Sequence, residues 1–150
     1  MVTLSGKLFL PGNPVLYTLF AGMNIKNGKM QEPVSADLSV AVEKRGEWHI
    51  IVLSGKFVVK TIALVRKVFN SLQSNKILSI ALDLSRVTQI DSSALTVMLN
   101  LQKRLHQKDC RLALIGPNEI IKETLFMVGF NLAVPVYHTR AEFELSVNQK

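Results

Sequence analysis

Apolar and polar residues alternate from position 38 onward, which predicts that a β-sheet begins there. Leu38, Val40 and Val42 are separated by polar or small residues, the pattern of a strand with one buried face. Turn-forming residues occupy 44–47, and the apolar segment 48–53 predicts a second strand. The two strands should form an antiparallel hairpin, and we expect Gly55 to end the second one.

After the hairpin the apolar period lengthens from two residues to three or four. Ile62, Val65, Phe69 and Leu72 recur at the spacing of one helix face. The nearly continuous apolar run 76–83 predicts a strand near the centre of the sheet. A further helix is predicted to begin at Ser92, with an inward stripe formed by Ala94, Val97, Met98, Leu101 and Leu105.

The remaining third of the chain repeats this alternation. Residues 111–115 predict a strand, 116–119 open a helix that ends at Gly129, and 134–136 predict a short edge strand. The capping box 139–142 predicts a last helix, with Phe143 and Leu145 facing inward. The pattern therefore predicts an α/β fold, a mixed sheet of four or five strands with about four helices packed against it.

Composition agrees with one globular domain. The chain has 150 residues, of which 48% are hydrophobic and 19% are charged. The single cysteine, Cys110, excludes an internal disulfide and suits a reducing compartment. One cysteine and the scattered His49, His106 and His138 lack the spacing of a zinc site, so we expect no metal. The chain has no glycine-rich phosphate loop, so we expect no nucleotide cofactor either.

Residues 1–35 differ from the rest. Their apolar run 8–20 is interrupted by Pro11-Gly12-Asn13-Pro14, which argues against a membrane-spanning helix. We expect a poorly ordered or loosely packed extension, with the folded domain over 36–150. A signal peptide and an incorrectly assigned gene start are the alternatives.

The formal net charge is +7, but the basic residues are spread along the chain. A nucleic-acid interface usually shows a concentrated basic stripe, so we expect no nucleic-acid partner. Solvated helix faces are the simpler explanation, while acidic partners and anionic lipid surfaces stay open.

The most distinctive feature lies at residues 87–95, where an acidic residue and two serines follow an apolar strand and a short polar loop. Asp91 is a good N-cap, since its carboxylate can accept hydrogen bonds from the first turn of a helix. Ser92 and Ser93 then lie where free N–H groups and the helix dipole favour added negative charge. The segment suits a phosphorylation switch, although serines also serve as ordinary capping residues.

A family resemblance is carried by residues 82–95, which read LDLSRVTQIDSSAL. This stretch resembles the signature of the STAS domain, which sulfate transporters share with bacterial anti-sigma factor antagonists. The resemblance covers about residues 36–145 and includes the order of elements, the turn 53–55 and the helix end at 129–130. It implies a STAS-like fold.

The resemblance also implies a function. Stand-alone members bind an anti-sigma factor that is a serine kinase, are released when it phosphorylates a loop serine, and are reset by a phosphatase. The matching acceptor is Ser93. The implied partner-binding residues are Thr88, Gln89, Asp91, Ser92, Ser93 and Ala94. Such a protein is a cytoplasmic regulator of transcription rather than an enzyme, with no cofactor and no stable membrane insertion.

Three departures from the family leave alternatives open. Ala94 stands where most antagonists have glycine, residues 56–60 lack a carboxylate that many carry, and the basic charge is unusual. A STAS accessory subunit of a lipid-transport or other ABC system, docked onto its ATPase, is therefore a second hypothesis. A small enzyme that uses the same loop is a third.

Overall fold

A computed structural model describes residues 37–73 and 79–148, together with the backbone of four two-residue strands nearer the N-terminus. These are β1 (Lys7–Leu8), β2 (Leu16–Tyr17), β3 (Ile25–Lys26) and β4 (Lys29–Met30). The expectation for residues 1–35 as a whole lies outside the described residues.

The domain proper alternates strands and helices in nearly the predicted order. Its strands are β5 (Leu38–Arg45), β6 (Trp48–Phe57), β7 (Ser79–Ile90), β8 (Leu112–Ile115) and β9 (Val136–Tyr137). Its helices are α1 (Ile62–Gln73), α2 (Ser92–His106), α3 (Glu119–Met127), α4 (Phe130–Ala133) and α5 (Arg140–Asn148). A single 3₁₀ turn, Val59–Thr61, precedes α1.

The sheet is mixed, as the sequence predicts. Strand β5 pairs antiparallel with β6, whereas β6, β7, β8 and β9 are neighbours that run parallel. Strand β2 pairs with β5 at the far edge and β1 with β2, so the complete order is β1-β2-β5-β6-β7-β8-β9. Strands β3 and β4 form a separate two-stranded ladder.

Both faces of this sheet are covered. Alternate residues of β5, β6 and β7, such as Val42, Ile51 and Leu82, contribute to a large core with α1 to α4. The intervening residues, such as Ile50 and Ala81, form a smaller core with Phe143 of α5. The run in β7 is continuously apolar because both of its faces are buried.

The structure corrects three local predictions. Gly55 does not end β6, which continues to Phe57, because a bulge lets the strand keep its pairing with β7. Leu145 does not face inward but is 63% exposed, whereas Phe143 is buried. An extra helix, α4, follows directly after Gly129, which lies just beyond the end of α3 and has a left-handed conformation.

Gly55 is required for a close approach of two backbones. Its φ is +118°, and a Cβ there would lie 2.1 Å from the carbonyl oxygen of Asp37. Only glycine avoids this collision. The residue thus allows β6 to bend while it stays paired with β5.

His49 in β6 makes stability depend on pH. Burial, and secondarily the charge of Lys44, lower its pKa from 6.5 to about 4. Between these values the unfolded chain binds a proton that the folded chain does not, so stability falls as pH decreases from 6.5 towards 4. We expect the free energy of unfolding, measured by urea titration, to fall by about 3 kcal/mol across this window.

The matched control is His106, which is exposed at the end of α2. We expect His49→Gln to flatten the pH dependence and His106→Gln to leave it unchanged. An unaltered slope in the His49→Gln variant would contradict this assignment.

Candidate functional site

The carboxyl ends of the parallel strands β6, β7 and β8 meet at one edge of the sheet, from which each chain segment passes into a helix. Ligands and partners of α/β sheets commonly bind at this edge. The segments that form it here are 58–61 after β6, Asp91 after β7, and 116–118 after β8.

Asp91 joins two of these segments. One carboxylate oxygen, Oδ1, accepts a hydrogen bond of 3.0 Å from the backbone N–H of Ala94, so Asp91 is the N-cap of α2 as predicted. The other, Oδ2, accepts a hydrogen bond of 2.8 Å from the N–H of Val59 in the turn after β6. The start of α2 is therefore tied to the neighbouring connection.

The turn that presents Val59 is held by Thr61, which is buried. Its hydroxyl donates to the carbonyl oxygen of Lys56 at 2.8 Å and accepts from the N–H of Val58 at 3.0 Å. Residues 56–60 thus form a fixed turn, although they lack the carboxylate expected of the family. Lys60 is exposed in this turn, next to Val59, whose N–H bonds to Asp91.

Ser92 and Ser93 occupy the first two positions of α2. Ser92 is exposed and Ser93 is partly exposed. Neither hydroxyl is hydrogen-bonded to another described residue, and neither backbone N–H donates to one. The first turn therefore offers free donors and a hydroxyl group with access to solvent.

The other predicted contact residues flank the serines. Thr88 and Gln89 belong to the end of β7, not to a loop, since that strand continues to Ile90. Both are exposed, and the Thr88 hydroxyl donates to the carbonyl oxygen of Gly55 at 3.3 Å. Ala94 is fully buried and belongs to the main core, so its side chain offers no surface for a partner.

Asp83, the other acidic residue of the signature, lies apart from this site. Its carboxylate is buried against Ser85, whose hydroxyl donates to Oδ1 at 2.6 Å, and lies 4.0 Å from Arg140. Arg140 in turn pairs with Glu43 at 2.9 Å. Burial by itself lowers the pKa of Arg140, but the hydrogen bond and charge of Glu43, with the charges of Glu144 and Asp83, outweigh it and hold the pKa above its usual value. Asp83 therefore serves the packing of α5.

Three residues of this edge were not predicted from the sequence. Val59 and Ile120 are apolar yet 66% and 76% exposed, Val59 in the turn after β6 and Ile120 in the first turn of α3. Asn118 caps α3 by accepting from the N–H of Ile121 at 2.9 Å. The N-cap preference for asparagine could have identified Asn118, whereas no local signal marks the other two.

Other kinds of site find little support in the described residues. No group of three His, Cys, Asp or Glu side chains among them could hold a metal ion. No helix within the described ranges combines the length and apolarity needed to span a bilayer. Two grooves lie at the opposite end of the sheet, around Trp48 and Arg111.

Comparison with known proteins assigns the family. The STAS domain model matches residues 39–143, so the chain belongs to the STAS domain family. No curated protein sequence matches significantly. The fold is the SpoIIAA-like form of the domain, as the solved structures show.

Three of these structures indicate the range of similarity. A Thermotoga maritima protein described as a candidate anti-sigma factor antagonist is 25% identical, with a TM-score of 0.64 over 71% of this chain and 92% of that one. An antagonist from Mycobacterium paratuberculosis is 16% identical, with a TM-score of 0.68 over 77% and 99%. The unphosphorylated antagonist SpoIIAA is 20% identical, with a TM-score of 0.56 over 73% and 96%.

Replacement of Asp91 tests the arrangement of this edge. We expect Asp91→Ala to lower the free energy of unfolding by about 2 kcal/mol, because an N-cap and a second backbone hydrogen bond are lost together. Urea titration measures this. Hydrogen exchange should also show faster exchange at the N–H of Val59.

Thr139 provides the matched control. It caps α5 through a single hydrogen bond of 3.1 Å from the N–H of Glu142, without a second segment attached. Thr139→Ala should lower stability by only about 1 kcal/mol and leave exchange at Val59 unchanged. Equal losses in the two variants, with no change at Val59, would contradict the coupling.

Proposed function

We propose that this protein is a partner-switching regulator of the anti-sigma factor antagonist type. In its unmodified form it binds an anti-sigma factor with serine-kinase activity, and phosphorylation of Ser93 releases it. The observation that carries the proposal is the Ser93 hydroxyl, which is partly exposed and without a hydrogen bond to the described residues on a helix start fixed by Asp91. The protein acts in the cytoplasm by binding, not by turnover.

The helix start can accommodate a phosphoryl group without loss of the fold. The N–H groups of Ser92 and Ser93 have no acceptor among the described residues, and the helix dipole favours an anion there. Lys60 lies next to Val59, which is itself bonded to Asp91. These groups offset repulsion between the phosphate and the Asp91 carboxylate.

Phosphorylation instead changes the charge and shape of the surface that contacts the partner. The modification adds about −1.5 to −2 charges and three acceptor oxygens at neutral pH. A partner surface shaped for a hydroxyl would meet bulk and unpaired charge, a penalty of several kcal/mol. The exposed Val59 and Ile120 supply apolar contacts, and Thr88 and Gln89 supply polar ones.

Similarity within the family supports the same mechanism. SpoIIAA, which shares the fold, has been solved in both unphosphorylated and phosphorylated forms. A phosphatase is the partner that would return this protein to its binding state. The buried Ala94, where most antagonists have glycine, lies beneath the docking surface and so leaves the proposal intact.

Substitution of Ser93 tests the switch. We expect Ser93→Ala to retain the bound partner and Ser93→Asp to weaken binding at least about tenfold, measured by calorimetry with the partner purified from its own cells. Both variants should unfold within about 0.5 kcal/mol of the unmodified protein, because the site is at the surface.

Ser92 is the matched control, since it is the adjacent and more exposed hydroxyl. Ser92→Asp should weaken binding less than Ser93→Asp, and mass spectrometry of the native protein should place phosphate on Ser93. Equal binding by the alanine and aspartate variants of Ser93 contradicts the proposal. Recovery of an ABC-transporter ATPase as the partner would instead assign the accessory-subunit function.

A further inference from the structure

Charges are unevenly distributed over the described surface. The segments 59–73 and 92–108, which contain the 3₁₀ turn, α1 and α2, carry no Asp or Glu. The remainder of residues 37–73 and 79–148 carries seven cations and ten carboxylates. We use the name α1–α2 basic face for the six exposed cations of the two segments, Lys60, Arg66, Lys67, Lys103, Arg104 and Lys108.

The cations of α1 and α2 lie on adjoining helices. Both helices pack on the same side of the sheet, where they cover the main core. The Arg104 guanidinium donates a hydrogen bond of 3.3 Å to the side-chain oxygen of Asn70, so the carboxyl-terminal halves of the two helices lie side by side. Arg66 and Lys67 lie one turn before Asn70.

Folding stability does not account for this accumulation of positive charge. Cations in the last turn of a helix interact favourably with its dipole, which explains Lys103 and Arg104. Lys60 lies at the opposite, unfavourable end of α1, and Arg66 lies in its middle. Arg45 and Arg140, which form ion pairs with carboxylates of other elements, lie outside the face.

The composition of the face indicates the kind of partner. Four of the six cations are lysines, a residue depleted at specific protein–protein interfaces. The exposed positions include small and aliphatic side chains, among them Ala63 and Leu99, but no Phe, Tyr or Trp on which a nucleic-acid base would stack. Diffuse, lysine-rich charge is suited to anionic lipid headgroups.

We infer that the α1–α2 basic face binds the surface of a bilayer that contains anionic phospholipids, so that the protein associates peripherally with a membrane. Lipid binding depends chiefly on the cations of the carboxyl-terminal halves of α1 and α2, whereas Lys60 lies beside the proposed switch. Lys103 lies ten residues along α2 from Ser93, roughly 15 Å at the helical rise. That distance exceeds the Debye length of about 8 Å in physiological salt, so the state of Ser93 has little effect on lipid binding by those cations.

Co-sedimentation of the full-length protein with vesicles tests the inference. We expect binding to phosphatidylcholine vesicles with about 30% phosphatidylglycerol, loss of binding in about 1 M salt, and none to pure phosphatidylcholine. Lys67→Glu/Lys103→Glu should weaken binding at least about tenfold. Lys44→Glu/Lys56→Glu changes net charge equally at two exposed residues outside the face and should stay within about twofold of wild type.

The possible outcomes separate the explanations. Equal losses in the two double variants would mean that net charge alone attracts the protein, which overturns the inference. Absence of binding to anionic vesicles also overturns it, as does binding of duplex DNA or polyglutamate through the face without vesicle binding. If circular dichroism shows that the Lys67→Glu/Lys103→Glu variant is unfolded, the variant Lys67→Gln/Lys103→Gln replaces it. Ser93→Asp should bind vesicles like the wild type, so failure of the switch and failure of lipid binding are distinguishable.

Discussion

The two hydrogen bonds of the Asp91 carboxylate hold together the segments at the carboxyl edge of the sheet. One bond begins α2 at a defined residue, and the other reaches Val59, which lies 32 residues away in the chain. The second bond therefore joins the start of α2, where Ser93 lies, to the turn after β6, where Val59 is exposed. A surface that is rigid in this way can respond to a single added phosphate by electrostatics alone.

The two acidic residues of the signature, Asp83 in β7 and Asp91 directly after β7, lie in different parts of the structure. Asp83 and Asp91 belong to the same signature, yet Asp83 faces α5 and is buried in an ion-pair network with Arg140. Asp91 follows the last residue of β7 and reaches solvent. The side chains of a strand alternate between faces, so neighbours in sequence can serve different layers of the fold. The proposed switch therefore lies on a framework that other residues stabilise.

The order of elements, the inward stripe of α2 and the Asp91 cap are predictable from the sequence, because each depends on local periodicity or on a local capping preference. The full length of β7 is not. Residues 85–90 are mostly polar, since both of their faces are largely exposed, and only the pairing with the extended β6 shows that they form a strand. The contact between Asp91 and Val59 likewise has no local signature. Leu145 was misplaced because a helix of nine residues carries too short a pattern to define its inward face.

We propose that one phosphate on Ser93 changes what the protein binds while its fold stays the same. The most direct test is to prepare the full-length protein with phosphoserine at position 93 and to compare its amide NMR spectrum and its affinity for the isolated partner with those of the unmodified protein. We expect affinity to fall by about a hundredfold and chemical-shift changes to be confined to the first turn of α2 and the adjoining turn at Val59. Unchanged affinity, or shift changes spread across the sheet, would rule out the switch.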